Sequence, residues 1–244
     1  MNSLLLLVAL ILSSSFQDTH RKLKVSIYYE ALCDDSKKFL LDQFYPAYSR
    51  IGSNLLVDLV PYGKATHELI NGEWEFQCQH GLSECVGNRY QACGLALNKC
   101  QDKQIEYINC LMGSVNASSQ NTLEKCASKL DVPAVDIMKC SQSRRGDQLL
   151  AKYGDQTHKV QPMITFVPTI IFNDSFDSDI QESSLKNFLE TACDVLQNKP
   201  DGCQKKNFLN TPDETEIDDF LGSVKNDDKG ELDHVSEDKE RRSN

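Results

Sequence analysis

Residues 24–39 read KVSIYYEALCDDSKKF. Lys24–Tyr29 is β-branched and aromatic, which predicts a strand. From Asp34 to Tyr48 the side chains of Phe39, Leu40, Leu41, Phe44 and Tyr45 recur at helical spacing, with Pro46 near the end. Leu55–Val60 (LLVDLV) predicts a second strand, closed by Pro61-Tyr62-Gly63. Strand, helix and strand in so short a span imply a crossover and parallel pairing. The expected class is α/β, with Cys33 at the junction of the first strand and its helix.

A helix N-terminus is a reactive place for a thiol, because unpaired amides and the helix dipole favour the thiolate. Asp34 and Asp35 oppose it, since like charge disfavours a further anion. Three residues after Cys33, where a second thiol would complete a dithiol, the chain carries Ser36. A hydroxyl can donate a hydrogen bond but cannot attack a disulfide as a thiol does. The competing reading makes Cys33 a structural half-cystine, since the chain has ten cysteines to pair.

Ser141–Tyr153 predicts a helix interrupted at Gly146. Phe166–Phe172 (FVPTIIF) predicts a strand, and Ser184–Leu196 an amphipathic helix with Leu185, Phe188, Leu189, Ala192 and Leu196 on or near one face. Pro168 fits a strand only at its first turn or as a cis peptide. In thioredoxin-like folds a cis-proline ahead of the third core strand packs beside the reactive cysteine, and Val167-Pro168 stands in the right order for that. A plain strand-entry proline is the alternative. Cys193 and Cys203 flank the turn-like QNKPDG and are expected to bridge.

Residues 64–140 read as a helical, cysteine-rich insertion holding Cys78, Cys85, Cys93, Cys100, Cys110, Cys126 and Cys140 as disulfide candidates. Helices are expected over Tyr90–Leu111 and Leu123–Leu130. Long apolar runs are few, so disulfides are expected to hold the region together. If Cys33 stays a thiol, an odd number of cysteines remains. One more is then free, pairs with Cys33, or links a second chain in a disulfide-bonded dimer. His80 lies between Cys78 and Cys85, but the spacing does not suit common structural zinc sites. No metal or cofactor is expected, and His80 reads as a hydrogen-bonding residue in a tight turn with Gly81.

Residues 1–15 read as a signal peptide. Leu4–Leu12 is almost wholly apolar, Ser13–Ser15 supplies small residues, and the run is too short to span a bilayer. A buried N-terminal strand is the alternative. A secretory route agrees with ten cysteines, which favour an oxidising compartment. No other stretch is long and apolar enough to span a membrane. The net charge of −10 argues against nucleic acid or anionic lipid as main partner. Much of the acid lies in residues 204–244, read as a flexible tail, with an acidic binding arm as the alternative. Asn116 (N-A-S) and Asn173 (N-D-S) are glycosylation sequons.

The stretch from Cys78 to Cys93, CQHGLSECVGNRYQAC, carries a specific resemblance. It is similar to the signature of the gamma-interferon-inducible lysosomal thiol reductase family: Cys-Gln-His-Gly, two residues, Glu-Cys, two residues, Asn, four residues, Cys. Cys78, Gln79, His80, Gly81, Glu84, Cys85, Asn88 and Cys93 match all of it. YYEALC resembles the family's first strand and reactive cysteine, FVPTIIFN its proline strand, and Cys193 and Cys203 its C-terminal cysteines. The resemblance covers about residues 24–203. It implies a thioredoxin-like core over residues 22–63 and 141–203, broken by the disulfide-rich helical insertion. It also implies secretion or delivery to lysosomes, and reduction of disulfides in other secreted proteins with a small thiol as reductant. The implied catalytic residues are Cys33, Ser36 and Pro168. Family reductases usually carry Cys-X-X-Cys, so Ser36 is the departure. Two functions stay open: a thiol–disulfide exchange enzyme with one nucleophilic cysteine, and a non-catalytic secreted family member that binds a protein partner.

Overall fold

A computed structural model describes residues 22–204. The expected signal peptide and the expected tail beyond Gln204 lie outside the described residues. β1 (Leu23–Tyr29) runs between β2 (Leu55–Pro61) and β5 (Thr169–Phe172), giving the sheet order β2-β1-β5. β1 and β2 are parallel, from Leu23 opposite Leu55 to Tyr29 opposite Pro61. The strand–helix–strand reading therefore holds. β5 returns antiparallel to β1, with Val25 opposite Phe172 and Tyr28 opposite Thr169. β1, the central strand, is buried on both faces except at Lys24. Val25, Ile27 and Tyr29 enter the main core, while Tyr28 packs with Val60 and Ile171 on the other side.

The connection after β1 is one helical run in three parts. These are α1 (Asp34–Lys38), a π-helical turn (Phe39–Phe44) and α2 (Tyr45–Ile51). The run extends past the expected end at Tyr48 to Ile51, with Pro46 inside it. The proline falls in the first turn of α2, directly after the π turn, where a residue without an N–H is tolerated. Phe39 and Phe44 bury their rings against Phe188 at 5.8 and 5.4 Å. Phe188 belongs to α8 (Ser178–Val195), whose N-terminus is capped by Asp177 Oδ1 accepting from the amides of Asp179 and Ile180. Non-helical torsions at Asn187 (φ −153°, ψ 83°) kink α8. Periodicity assumes a straight helix and puts Leu185 with the core; in the structure Leu185 is exposed and Ser184 is buried instead.

Between β2 and β5 lie a hairpin, β3 (Thr66–Ile70) with β4 (Glu73–Gln77), and five helices: α3 (Leu82–Leu97), α4 (Gln101–Met112), α5 (Gln120–Ala127), α6 (Ala134–Ser141) and α7 (Arg144–His158). The helix expected over Tyr90–Leu111 is two helices, broken at Asn98–Cys100. There Asn98 Oδ1 accepts from Cys100 N, an Asx turn that competes with the helical ladder. Gly146 does not interrupt α7. It lies in the first turn, where a Cβ would come 2.5 Å from Cys140 O, which is why glycine stands there.

Disulfides join Cys78 to Cys85, Cys93 to Cys140, Cys110 to Cys126 and Cys193 to Cys203, with Cα–Cα distances of 5.6–5.9 Å. Cys100, counted among the bridge candidates, is unbridged and exposed at the start of α4. The odd cysteine left over in the arithmetic is therefore Cys100. No helix among the described residues is long and apolar enough to cross a membrane.

Candidate active site around Cys33

Cys33 is the N-cap of α1 and is half-buried and unbridged. The Ser36 main-chain N–H donates to its Sγ at 3.4 Å. The Cys33 thiol in turn donates to the Val167 carbonyl, 3.9 Å away. Val167–Pro168 is a cis peptide at the entry to β5, so the proline segment faces the cysteine across the sheet top. The structure thus brings together Cys33, Ser36 and Pro168. Ser36 is fully buried, and its Oγ accepts from Glu30 N at 3.4 Å. Asp34 and Asp35 are exposed, so water screens their charges from the sulfur.

A groove of about 310 Å³ opens beside the cysteine turn, walled by Phe39, Phe166, Val167 and Pro168 and rimmed by Asp35 and Asp42. Phe166 and Leu185 present apolar surface to it from the proline loop and the kinked α8.

The residues of the 78–93 stretch do different jobs. Cys78 and Cys85 bridge to each other, and Cys93 reaches α6 through Cys140. Gly81 takes φ +80° just before α3, and Gln79 is exposed. Asn88 is fully buried and accepts from Ala31 N at 2.9 Å, directly behind the cysteine turn. His80 Nδ1 lies 2.6 Å from Glu84 Oε2 and 3.5 Å from Glu30 Oε2. Glu30 had no place in the sequence argument. It is fully buried, and burial, with help from the Glu84 charge, pushes its carboxyl above the usual range; the Lys64 N–H and His80 pull the other way. The donor atoms of Glu30, His80 and Glu84 lie within 4.8 Å of one another, the one such grouping among the described residues. At 2.6 Å the Nδ1 is engaged in a hydrogen bond to Glu84. Asn116 and Asn173 are exposed in turns.

A parallel β-α-β start, an antiparallel closing strand behind a cis-proline, and an unbridged thiol at the helix cap define a protein of the thioredoxin-like class. In agreement, the crystal structure of Chlamydia trachomatis DsbA aligns over 69% of this chain and 84% of its own, with TM-score 0.50 and 13% identity. Residues 24–130 match the family described as gamma interferon inducible lysosomal thiol reductase. A gamma-interferon-inducible lysosomal thiol reductase-like protein of Anopheles gambiae is 33% identical over 75% of this chain and 80% of its own length. GILT-like protein 1 of Drosophila melanogaster is 33% identical over 83% and 87%. The chain belongs to the gamma-interferon-inducible lysosomal thiol reductase family.

Proposed function

We propose that this protein exchanges thiols and disulfides in other proteins through Cys33 alone. The observation that supports this most is the unbridged Cys33 Sγ at a helix cap, facing the carbonyl that precedes Pro168. In this reading the Cys33 thiolate attacks one sulfur of a substrate disulfide. The substrate S–S bond breaks, its second sulfur leaves as a thiolate and takes a proton, and Cys33 is held in a mixed disulfide. Ser36 has no thiol to displace the substrate. A small external thiol attacks Cys33 Sγ and frees the second substrate thiolate. Another equivalent regenerates Cys33 and leaves as the small-molecule disulfide, so two electrons pass from small thiols to the substrate. The groove beside the turn, with Phe166 and Leu185 exposed, suits an apolar segment of an unfolded chain. The family and the sequence of residues 1–15 support a secretory or lysosomal location.

With a small thiol as reductant, reduction of an unfolded disulfide-containing protein is expected to be slow and dependent on Cys33. Cys33→Ala abolishes it, and Ser36→Cys raises it by supplying an intramolecular resolving thiol of high effective concentration. Wild-type inactivity with no gain from Ser36→Cys would instead favour the non-catalytic binding reading, to which the missing second thiol already points.

A further inference from the structure

The turn that carries Cys33 is held from behind by residues far from it in sequence. Asn88, on α3, takes the Ala31 N–H. Glu30 does more. Its main-chain N–H donates to Ser36 Oγ at 3.4 Å, and its carbonyl accepts from Cys33 N at 3.4 Å. It therefore touches both ends of the Cys-Asp-Asp-Ser segment. Its carboxylate points the other way, with Oε1 accepting from Lys64 N at 2.7 Å. Oε2 is fully buried, has no hydrogen-bond donor among the described residues, and lies 3.5 Å from His80 Nδ1. His80 in turn is bound twice to the buried Glu84, through its main-chain N at 3.1 Å and its ring at 2.6 Å. Space for this arrangement is reserved at Gly63, which takes φ +64° and where a Cβ would lie 2.1 Å from Glu30 Cγ.

We propose that Glu30, His80 and Glu84 form a charged clamp that positions the Cys33 turn, with Asn88 as its uncharged second point of attachment. The proposal rests on the exchange reading of Cys33. Two buried carboxylates converge on one imidazole behind the turn, and burial holds the Glu30 carboxyl above its ordinary range. The groups facing Glu30 are Glu84, His80 and Lys64. Protonation of Glu30 removes one negative charge from this set. A less negative clamp favours the Cys33 thiolate, so the clamp's protonation is written into the pH dependence of the thiol. A scaffold role alone would alter stability and leave that dependence unchanged.

The test uses the full chain carrying Cys100→Ser, in which Cys33 is the one unbridged thiol. The probe is iodoacetamide, with the alkylation rate followed across the acid limb. In the parent chain the logarithm of the rate is expected to rise with less than unit slope where the clamp titrates. Glu30→Gln is expected to restore unit slope with all four disulfides intact. Unit slope throughout in the parent, or the same shallow region kept in Glu30→Gln, overturns the clamp. Should Glu30→Gln not fold, His80→Gln decides: its ring is 37% exposed, its replacement empties no core, and loss of the imidazole that lowers Glu30 is expected to move the shallow region to higher pH, an unmoved region overturning the clamp. Alkylation needs no turnover. A chain that shows these profiles but forms no mixed disulfide with an unfolded disulfide-containing peptide overturns the exchange reading and leaves the clamp standing.

Discussion

Ser36 and Asn88 show what single residues decide here. Ser36 occupies a fully buried position one helical turn from the sulfur, with its main-chain N–H already on Cys33, so a cysteine side chain there begins from a placed backbone. Asn88 supplies the acceptor for the Ala31 N–H in a fully buried place. Asn88→Ala strands that donor, and a buried unsatisfied group costs about 1–3 kcal/mol. Urea unfolding of the two chains is expected to show that loss; equal midpoints would mean that water reaches Ala31. Cys33, Ser36 and Pro168 were legible in the sequence because strand–helix junctions and strand-entry prolines have local signatures. Glu30 was not. An acid at the end of a strand looks solvent-bound until tertiary structure closes α3 and the Gly63 turn over it.

Elements were read best where their periodicity is long and uninterrupted. β1, β2 and their parallel pairing followed from KVSIYY and LLVDLV, each one residue shorter than the strand it predicts. The β3–β4 hairpin was missed because the cysteine count drew residues 64–140 toward a helical reading. Its signal was present: Asn71-Gly72 takes φ +53° and +85°, the pair of left-handed residues that a two-residue hairpin turn demands. The kink at Asn187 left no comparable mark. Disulfides set the stability of this half. Cys93–Cys140 ties α3 to α6 across 47 residues, whereas Cys78–Cys85 spans 7. On chain entropy the longer loop stabilises by about 2 kcal/mol more. Replacing both Cys93 and Cys140 by Ala is expected to lower unfolding free energy by about 2–5 kcal/mol, and more than the same change at Cys78 and Cys85. The reverse order in denaturant midpoints would show that packing, not loop closure, governs.

At the scale of the molecule, buried tyrosines limit alkaline stability. Tyr48 is pushed up to about 12 by burial and its bond to Asp102, and Tyr153 to about 12 by burial and the Asp58 charge. Tyr29, Tyr62 and Tyr107 are also raised by burial. Folded values above the unfolded one mean the folded state holds these protons more tightly. Their contribution is whole below about pH 10, the unfolded value, and is lost as pH rises through the folded values. Part of the tyrosinate absorbance should therefore appear only together with loss of helical circular dichroism; complete ionisation in a folded chain would refute this. Asn116 and Asn173, both exposed, are expected to carry glycan after expression in a eukaryotic secretory host, read as a mass loss on glycosidase treatment; an unchanged mass counts against the sequon reading. The connectivity also has a consequence for synthesis. β1 is central, yet its antiparallel partner β5 arrives only at Thr169, after every cysteine of the insertion has emerged. On a ribosome delivering the N-terminus first, the Cys33 thiol waits uncovered among nascent partners until the Val167–Pro168 segment is made. The hazard for this chain is thus a wrong bridge formed early, and a biosynthetic pulse ended before β5 emerges is where trapped Cys33 adducts would be found.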